Sequence, residues 1–458
     1  MNIVRHFTQA LQRYVLSKAG LSVCFGLGIL LTWLLAYGVE KIAIPTEAFS
    51  SSHQFSVASQ SSPVLFISPE GRGKRDGTTA GDAGTLDDLP TFITEVGPGG
   101  EVRILNGVYS HAGKIRIASG GNPDHPVTIQ GADEAGHETE MPIIVGDRSS
   151  PYRPPPEGHA GSSLFNLLPG ASHLVFRNIH CQNQGNGCFV FAGTAGDVTI
   201  EQVKGTNVQR FIEHQPNSTA SNAWDLSNVV IRNTEIHGYS KGAIRFGKPQ
   251  PDGKNDAHNL LIEDVVGDSE RQDHDNFCMG VHLRGDVHHV TLRRTTMSNC
   301  QQTRSADDYW NGDGFAAEES VSHLLFEDTR AFGNTDGGYD IKAQDTVMIR
   351  PYASDNKRNF RVWSAIAIQN AIGEEPRCRG GIGCQAQVHA THGADAKLID
   401  CTFTSTNPST YVFKSESGGK ITATGGTVQH NGILSAAEGH QKVITLNGVM
   451  VNHQLLTD

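Results

Sequence analysis

The chain has no excess of basic side chains, since 37 Lys and Arg stand against 48 Asp and Glu and the formal net charge is −11. An acidic surface repels a phosphate backbone, so nucleic acid is not expected as a partner. The sequence also has no phosphate-binding loop, no Gly-x-Ser-x-Gly elbow and no dinucleotide fingerprint. These absences remove nucleotide-dependent and serine-hydrolase chemistry from the first hypotheses.

Cysteine is sparse, with 8 residues in the chain, and no Cys-His spacing is typical of a zinc site. Helical periodicity is weak throughout. One long apolar run stands apart, residues 21–39, and it is just long enough to cross a bilayer. Basic residues in the preceding segment 1–20 favour a cytoplasmic N-terminus, with the bulk of the chain in the periplasm or outside the cell. A signal peptide that is cleaved, releasing the chain, is the alternative.

A polar segment without periodicity, 40–62, is interpreted as a linker between the membrane and one folded domain over 63–458. That domain is rich in glycine, with 51 residues, and has a hydrophobic content of 37%. Both values suit many short strands joined by turns. The spacing of apolar residues over Leu86–Val96 predicts a short helix that caps the first turn of the domain.

Apolar triads recur along the domain at intervals of one coil, as in Val198-Thr-Ile200, Val229-Val-Ile231 and Leu260-Leu-Ile262. Most triads are followed by a polar pair and a second short strand. The pattern predicts an all-β solenoid in which each coil buries its apolar side chains against its neighbours. The opening segments 64–77, 98–109 and 115–131 resemble the first coils of secreted right-handed parallel β-helix proteins, which implies that fold here.

Three acidic residues follow turns on what we expect to be neighbouring coils: Asp313 in Asn311-Gly-Asp-Gly-Phe-Ala316, then Asp336 and Asp340 in Asn334-Thr-Asp-Gly-Gly-Tyr-Asp340. Asp313 and Asp336 are about 23 residues apart, close to one coil of such a solenoid. Carboxylates stacked at the strand spacing repel each other unless a cation lies between them. Because calcium prefers hard oxygen ligands, the sequence predicts a Ca²⁺ site formed by these three residues.

A bound calcium beside a basic side chain suits chemistry on a uronic acid. The metal would hold the sugar carboxylate and acidify the neighbouring proton, so that a base can start a β-elimination. Arg361, in Asn359-Phe-Arg-Val-Trp363, is the predicted base, and Lys342 is the second choice. The residues predicted to bind the acidic polysaccharide, as aromatic platforms or as cations, are Tyr309, Trp310, Trp363, Arg304, Lys357 and Arg358.

The same three motifs resemble the signature of the family-nine polysaccharide lyases, calcium-dependent pectate lyases with a right-handed β-helix. The resemblance implies Asp313, Asp336 and Asp340 as metal ligands and a basic residue of the third motif as the catalytic base. This chain differs at two positions, because Gly337 stands where the family has a second Asp and Arg361 stands where it has lysine.

A calcium-dependent polysaccharide lyase, monomeric and anchored to the membrane, is therefore the predicted function, and trimming of an exported polysaccharide is its expected use. A C5-epimerase would remove the same proton. A glycoside hydrolase using Asp307, Asp308 and Asp313 is another enzymatic alternative. A β-helix that binds or guides an exported glycan without catalysis is the alternative from a different class.

Overall fold

The computed structural model of the chain describes residues 62–215, 225–249, 251–273, 275–438 and 443–457. The predicted span 21–39, the segment that precedes it and nearly all of the predicted linker lie outside these residues. None of the helices in the described ranges has the length and apolar character needed to cross a membrane. The anchor, its orientation and the linker therefore stay predictions.

The described residues form 35 short strands, β1 to β35 in chain order. The first seventeen are β1 Val64–Ile67, β2 Glu101–Ile104, β3 Val108–Ser110, β4 Ile115–Ile117, β5 Val127–Gly131, β6 Ile143–Val145, β7 Phe165–Leu167, β8 Leu174–Gln182, β9 Asn186–Phe191, β10 Ala195–Thr206, β11 Arg210–His214, β12 Leu226–His237, β13 Gly242–Phe246, β14 Ala257–Asp268, β15 Met279–Leu283, β16 Val287–Arg293 and β17 Thr296–Ser298. The others are β18 Asp313–Ala317, β19 Ser322–Glu327, β20 Arg330–Phe332, β21 Gly337–Ile341, β22 Gln344–Ile349, β23 Tyr352–Ser354, β24 Arg358–Val362, β25 Ala365–Gln369, β26 Ile372–Glu374, β27 Ala386–Ala390, β28 Asp395–Ile399, β29 Thr402–Ser405, β30 Tyr411–Ser415, β31 Lys420–Thr424, β32 Thr427–His430, β33 Ile433–Ala437, β34 Ile444–Val451 and β35 Gln454–Thr457.

These strands build two sheets, one of 23 strands and one of 12. The smaller sheet runs β4-β7-β9-β11-β13-β15-β18-β21-β24-β27-β30-β33, so each strand pairs with the strand one coil further along the chain. The strand pairs within the described residues are parallel, apart from the antiparallel pair β34 and β35. The prediction of an all-β parallel β-helix is confirmed.

Apolar side chains that alternate with polar ones fill the interior of the coils. Under the later part of the 12-stranded sheet, Phe315 of β18, Tyr339 of β21 and Phe360 of β24 stack in register. Their ring centroids are 5.1 and 5.3 Å apart and their planes are within 10° of parallel. This aromatic column fixes the vertical alignment of the three strands that carry the predicted motifs.

A polar ladder fixes the turn that precedes these strands. Asn334 donates through Nδ2 to Asn356 Oδ1 at 2.9 Å, and Asn356 donates in turn to Asn359 Oδ1 at 3.0 Å. Asn359 continues the ladder to Gln387 Oε1 at 2.8 Å. All four side chains are buried, so the asparagine that opens the second and third motifs serves to align coils.

The predicted helix is present as α1, Leu89–Val96, preceded by a 3-10 turn over Leu86–Asp88. It has a proline in its first turn and ends at Gly97, whose φ of 61° suits a glycine after a helix. Its buried side chains contact β1, β2 and β4, the first strands of the solenoid. Its role as a cap of the first coil stays a prediction.

Candidate functional site

The candidate site lies on the outer face of the 12-stranded sheet. In the strands of this sheet from β11 to β30, apart from β18 with its Ala316, one polar residue stands between two inward-facing residues, as Asp340 stands between Tyr339 and Ile341. Because the strands are parallel and in register, these polar residues form one column across successive coils. In coil order the column contains Glu213, Arg245, His282, Ala316, Asp340, Arg361, His389 and Lys414.

Asp336 is a predicted metal ligand that is buried and lies beside Arg361, the predicted base. Its carboxylate accepts hydrogen bonds from Arg358 Nη1 on one oxygen and from the Tyr309 hydroxyl on the other. Arg361 Nη1 lies 3.6 Å from Asp336 Oδ2 and donates to the Tyr309 hydroxyl oxygen at 2.8 Å. Both oxygens of Asp336 are therefore occupied by side chains of the protein.

Asp313 and Asp340 are the other two predicted ligands, and each also has a donor from the protein. Asp313 Oδ1 accepts from the backbone N–H of Gly337 at 2.7 Å, and Asp340 Oδ1 accepts from Trp363 Nε1 at 2.5 Å. Burial, together with the negative charges of Asp336 and Asp340, raises the pKa of Asp313 well above its usual range. Burial also raises the pKa of Asp340, although Arg361 and Lys342 offset part of this effect.

Lys342 lies two residues beyond Asp340 and belongs to a hydrogen-bonded group of three. Its Nζ donates to Glu318 Oε2 at 2.6 Å, and Glu318 Oε1 is 3.4 Å from His282 Nε2. Burial opposes the charge of Lys342, but Asp340 and Glu318 outweigh it and raise the pKa. His282 and Lys342 in turn overcome burial at Glu318 and lower its pKa to about 2. Lys342 and Glu318 are therefore a charged pair at neutral pH.

These contacts bear on the predicted base. Arg361 pairs with Asp336 and its guanidinium carbon lies 4.4 Å from the centre of the Trp363 ring. An ion pair and a cation–π contact both stabilise the charged guanidinium. Lys342 is held in its charged form as well. The base role of Arg361 or Lys342 stays a prediction, and their surroundings favour the binding of a carboxylate.

The fit of the predicted calcium site follows from the same contacts. Within the described ranges, no group of three or more His, Cys, Asp and Glu side chains is arranged to hold a metal ion. The family has its second Asp where this chain has Gly337. A side chain at that position would be crowded here, because a Cβ would come within 2.8 Å of Asp313 Oδ1. The residues present do not form the expected three-carboxylate cage in this arrangement, so calcium stays a prediction and no step below depends on it.

Two of the predicted polysaccharide-binding cations are buried. Lys357 is fully buried and its ammonium donates to the backbone carbonyls of Gly380, at 3.2 Å, and Ile382. Arg358 is 4% exposed and is committed to Asp336. Both cations are engaged by the protein itself in this structure, and their predicted binding of polysaccharide stays a prediction. The third cation, Arg304, is exposed and donates to Asn276 Oδ1 at 3.1 Å.

The predicted aromatic platforms have different roles. Trp310 donates to the Ser305 carbonyl at 2.9 Å, and a Cβ at Gly380 or Gly381 would clash with its ring, so it anchors one loop upon another. Trp363 holds Asp340 and packs against His392 with ring centroids 4.4 Å apart. Tyr309 remains 36% exposed while its hydroxyl reaches Asp336 and Arg361. Of the three, Tyr309 presents a reactive group.

The carboxyls proposed for the hydrolase alternative are not brought together as expected. Asp307 and Asp308 are exposed, and Asp308 Oδ2 accepts from Ser305 Oγ at 2.8 Å. The buried carboxyls that face one cavity are instead Asp313 and Asp340. A hydrolase on this scaffold would therefore use that pair.

Sequence reasoning missed four cations that line the same cavity, which has a volume of about 480 Å³. They are Arg210, Lys241, Arg245 and Arg284. They lie on or beside β11, β13 and β15, the three coils before β18. Long loops between these strands disguise the alignment in the sequence. The recurring unit of a polar residue between two core residues, as in Ile244-Arg-Phe246 and Val281-His-Leu283, is the signal that places Arg245 and His282 in the column.

Comparison with known proteins supports the fold. No protein-family model matches the chain, and no curated relative was found. Among solved structures, the A-module of the mannuronan C-5 epimerase AlgE4 from Azotobacter vinelandii superposes with a TM-score of 0.54 and 13% identity, over 83% of this chain and 100% of that one. The catalytic domain of a GH87 α-1,3-glucanase in complex with nigerose gives 0.53 and 13%, over 90% and 71%.

The pectate lyase Pel9A is a third similar structure, with a TM-score of 0.48 and 11% identity over 86% of this chain and 81% of that one. Identities this low establish the architecture alone. The chain is thus a parallel β-helix protein of a kind that carbohydrate-active enzymes share. Its particular activity has to be argued from its own site.

Proposed function

We propose that this protein is a polysaccharide lyase that cleaves a uronic-acid-containing polymer by β-elimination. The observation that carries the proposal is that Arg361 joins two groups: its Nη1 lies 2.8 Å from the Tyr309 hydroxyl, and it is in register with Asp340 on the neighbouring strand. A proton donor, a carboxyl and a cation thus belong to one site on the outer side of the 12-stranded sheet. This is the set of groups that removal of a proton next to a sugar carboxylate requires.

Arg361 and Lys342 supply the binding of the substrate carboxylate. Arg361 is in register with Asp340 on the neighbouring strand, and Lys342, two residues after Asp340, has a raised pKa that keeps it charged. A guanidinium matches the two oxygens of a carboxylate, and the ammonium adds a second positive charge. Neutralising that carboxylate makes the proton on the adjacent carbon, C5, easier to remove.

Asp340 is the proposed base in place of the arginine expected from the sequence. A carboxylate with a raised pKa is a stronger base when ionised than an ordinary one. It takes the C5 proton, the electron pair of that C–H bond forms the C4=C5 double bond, and the C4–O4 bond breaks. Trp363 Nε1 fixes the orientation of the Asp340 carboxyl through its hydrogen bond to Oδ1.

Tyr309 is the proposed acid. Burial and the negative charge of Asp336 raise the pKa of Tyr309, so the phenol keeps its proton at neutral pH. It gives this proton to the departing O4, while Arg361 and Arg358 stabilise the phenolate that results. Exchange with water then returns the proton from Asp340 to Tyr309, and the site is restored.

The test uses the full-length protein with polygalacturonate and with alginate. Unsaturated ends that absorb in the ultraviolet are the expected product, and Tyr309→Phe and Asp340→Asn should abolish them. Asp307→Asn is the matched control, because Asp307 is an exposed carboxyl outside the cavity. A polymer whose sugars change configuration without chain breaks would assign a C5-epimerase and overturn the lyase.

Hydrolysis is the second candidate, favoured by the raised pKa of Asp313. A carboxyl that keeps its proton at mildly acidic pH can protonate a glycosidic oxygen, while Asp340 activates a water molecule. This reaction leaves saturated reducing ends. The same incubation therefore separates the two candidates by the chemistry of the new ends.

The expected membrane anchor at 21–39 extends the proposal. An enzyme fixed to the outer face of the membrane would meet a polysaccharide as it leaves the same cell, and would trim it. Cell fractionation followed by protease treatment of intact cells tests this location. Release of the active chain into the medium would contradict it.

A further inference from the structure

Four cations lie side by side in the cavity before the proposed catalytic residues. Arg210 begins β11, Lys241 precedes β13, Arg245 lies within β13 and Arg284 follows β15. All four share one cavity with Asp313, Asp340 and Lys342. The mechanism proposed above uses none of the four, so their accumulation at this place needs its own explanation.

Their charges are not balanced within the protein. Glu213 is fully buried and forms ion pairs with Arg210, at 3.3 Å, and with Arg245. In the part of the chain that the structure describes, no other carboxylate lies within ion-pair distance of any of the four. Within ion-pair distance the four positive charges therefore have one negative partner, and the other carboxylates of the cavity, Asp313, Glu318 and Asp340, lie beyond that distance. Partly buried cations in excess are costly unless an anion from outside joins them.

The two pairs of cations differ in what holds them. Arg210 and Arg245 are fixed by Glu213, and Arg210 also donates to Asn186 Oδ1 at 2.6 Å. Arg284 donates through Nε to the Gly247 carbonyl at 3.2 Å, which leaves the outer nitrogens of its guanidinium uncommitted among the described residues. The Lys241 ammonium likewise has no polar partner there. Arg284 and Lys241 are therefore the groups that a ligand would meet.

We propose that Arg284 and Lys241, supported by Arg210 and Arg245, form a subsite for a second acidic sugar of the same chain. This inference rests on the proposed function and names the substrate class: a polymer with at least two acidic units close together. Burial lowers the pKa of both residues, and neighbouring cations add to this at Lys241, as expected for a site completed by an anion.

The register gives the separation of the two subsites. Arg361 lies on β24, one coil beyond Lys342. Arg284 follows β15, Glu318 follows β18 and Lys342 follows β21, so Arg284 stands two coils from the nearer cation of the catalytic subsite, Lys342. At the spacing of parallel strands this is roughly 10 Å. The distance exceeds one pyranose ring, so the two carboxylates belong to different sugar units. Ala316 lies between His282 and Asp340 in the column. Its small side chain leaves room for the part of the polysaccharide that joins the two subsites.

Binding of defined oligosaccharides tests the subsite separately from catalysis. Full-length protein carrying Asp340→Asn, alone and combined with Arg284→Gln or Lys241→Gln, is titrated calorimetrically with galacturonate and mannuronate oligomers of one to six units. We expect affinity to rise steeply from one unit to oligomers that span both subsites, and each added substitution to weaken the long oligomers about tenfold. Monomer affinity should stay unchanged.

Arg330→Gln is the matched control, because Arg330 is an exposed arginine of β20, in the 23-stranded sheet, and lies outside the cavity. It should leave every affinity unchanged. Equal affinity of the parent and the Arg284→Gln and Lys241→Gln proteins for all oligomers, or equal binding of a neutral galactan oligomer, would overturn the subsite. If oligomers bind as expected but the unsubstituted protein forms no unsaturated product, the subsite stands and the lyase proposal fails.

Discussion

Arg361 donates a hydrogen bond to the hydroxyl of Tyr309 at 2.8 Å, although 52 residues separate them in the chain. The coils bring Arg361 to the outer face of β24, and a loop before β18 returns Tyr309 to the same point. Asp336 accepts from the same hydroxyl and so completes a polar triad in which the carboxylate is buried. The proposed chemistry depends on this convergence of a loop residue with two coil residues.

Tyr309→Phe removes the proton donor and keeps the ring that packs under three cations. We expect kcat to fall by about 10² to 10⁴, the usual contribution of a positioned acid, with little change in KM. Initial rates of unsaturated product formation measure this. A variant that retains its full kcat would assign Tyr309 to structure alone.

Arg358 and Asp336 form a buried pair, so removing Arg358 leaves the buried Asp336 carboxylate with Arg361, at 3.6 Å, as its remaining cationic partner. Arg358→Leu should lower the free energy of unfolding by about 3 to 5 kcal/mol, and the double change Arg358→Leu with Asp336→Leu should recover part of it. Chemical denaturation measures both. Arg304→Leu, at an exposed arginine, is the control. A double variant no more stable than the single one would show that the two charges are not coupled.

Asp313→Asn should raise the thermal midpoint at neutral pH. The folded-state pKa of Asp313 is raised above its unfolded value, so the folded state holds the proton more tightly and ionisation destabilises it. The penalty begins as pH rises through the unfolded pKa and is complete above the folded pKa. The advantage of the variant should therefore disappear at strongly acidic pH, where the carboxyl is protonated in both states. A midpoint difference independent of pH would contradict this origin.

Calcium removal tests whether activity depends on a metal ion bound at Asp336. Since Arg358 and Tyr309 already occupy both oxygens of that carboxylate, we expect a chelator to leave the thermal midpoint unchanged and to preserve activity. Assays with chelator, and after return of calcium, measure this. Activity that is lost with chelator and restored by calcium would instead support the metal site expected from the sequence.

Much of this arrangement could be predicted from the sequence, because in a solenoid residues one repeat apart in the sequence lie on neighbouring coils. The recurrence of apolar triads indicated the coils, and the interval from Asp313 to Asp336 indicated their proximity. Packing of the intervening loops could not be predicted. Lys357 and Arg358 looked like surface cations, yet the loop carrying Gly380 and Ile382 covers the first, and Asp336 draws in the second.

The cationic subsite escaped prediction for a related reason. Lys241 and Arg284 lie on neighbouring coils, but a long insertion between β14 and β15 conceals their alignment. The register between β13 and β15 pairs Arg245 with His282. This register brings Lys241 and Arg284 to one cavity. The partner of a charged side chain is likewise set by three-dimensional contacts and not by its position in a motif.

The most direct test of the central claim is the chemistry of the new chain ends. Full-length protein is incubated with polygalacturonate and with alginate, beside its Tyr309→Phe and Asp340→Asn variants, and the products are examined by ultraviolet absorbance and mass spectrometry. The account predicts unsaturated uronates that accumulate with the unsubstituted protein and form at least about a hundredfold more slowly with both variants. Saturated reducing ends, or unsaturated ends that form at an undiminished rate in the Tyr309→Phe and Asp340→Asn proteins, would contradict it.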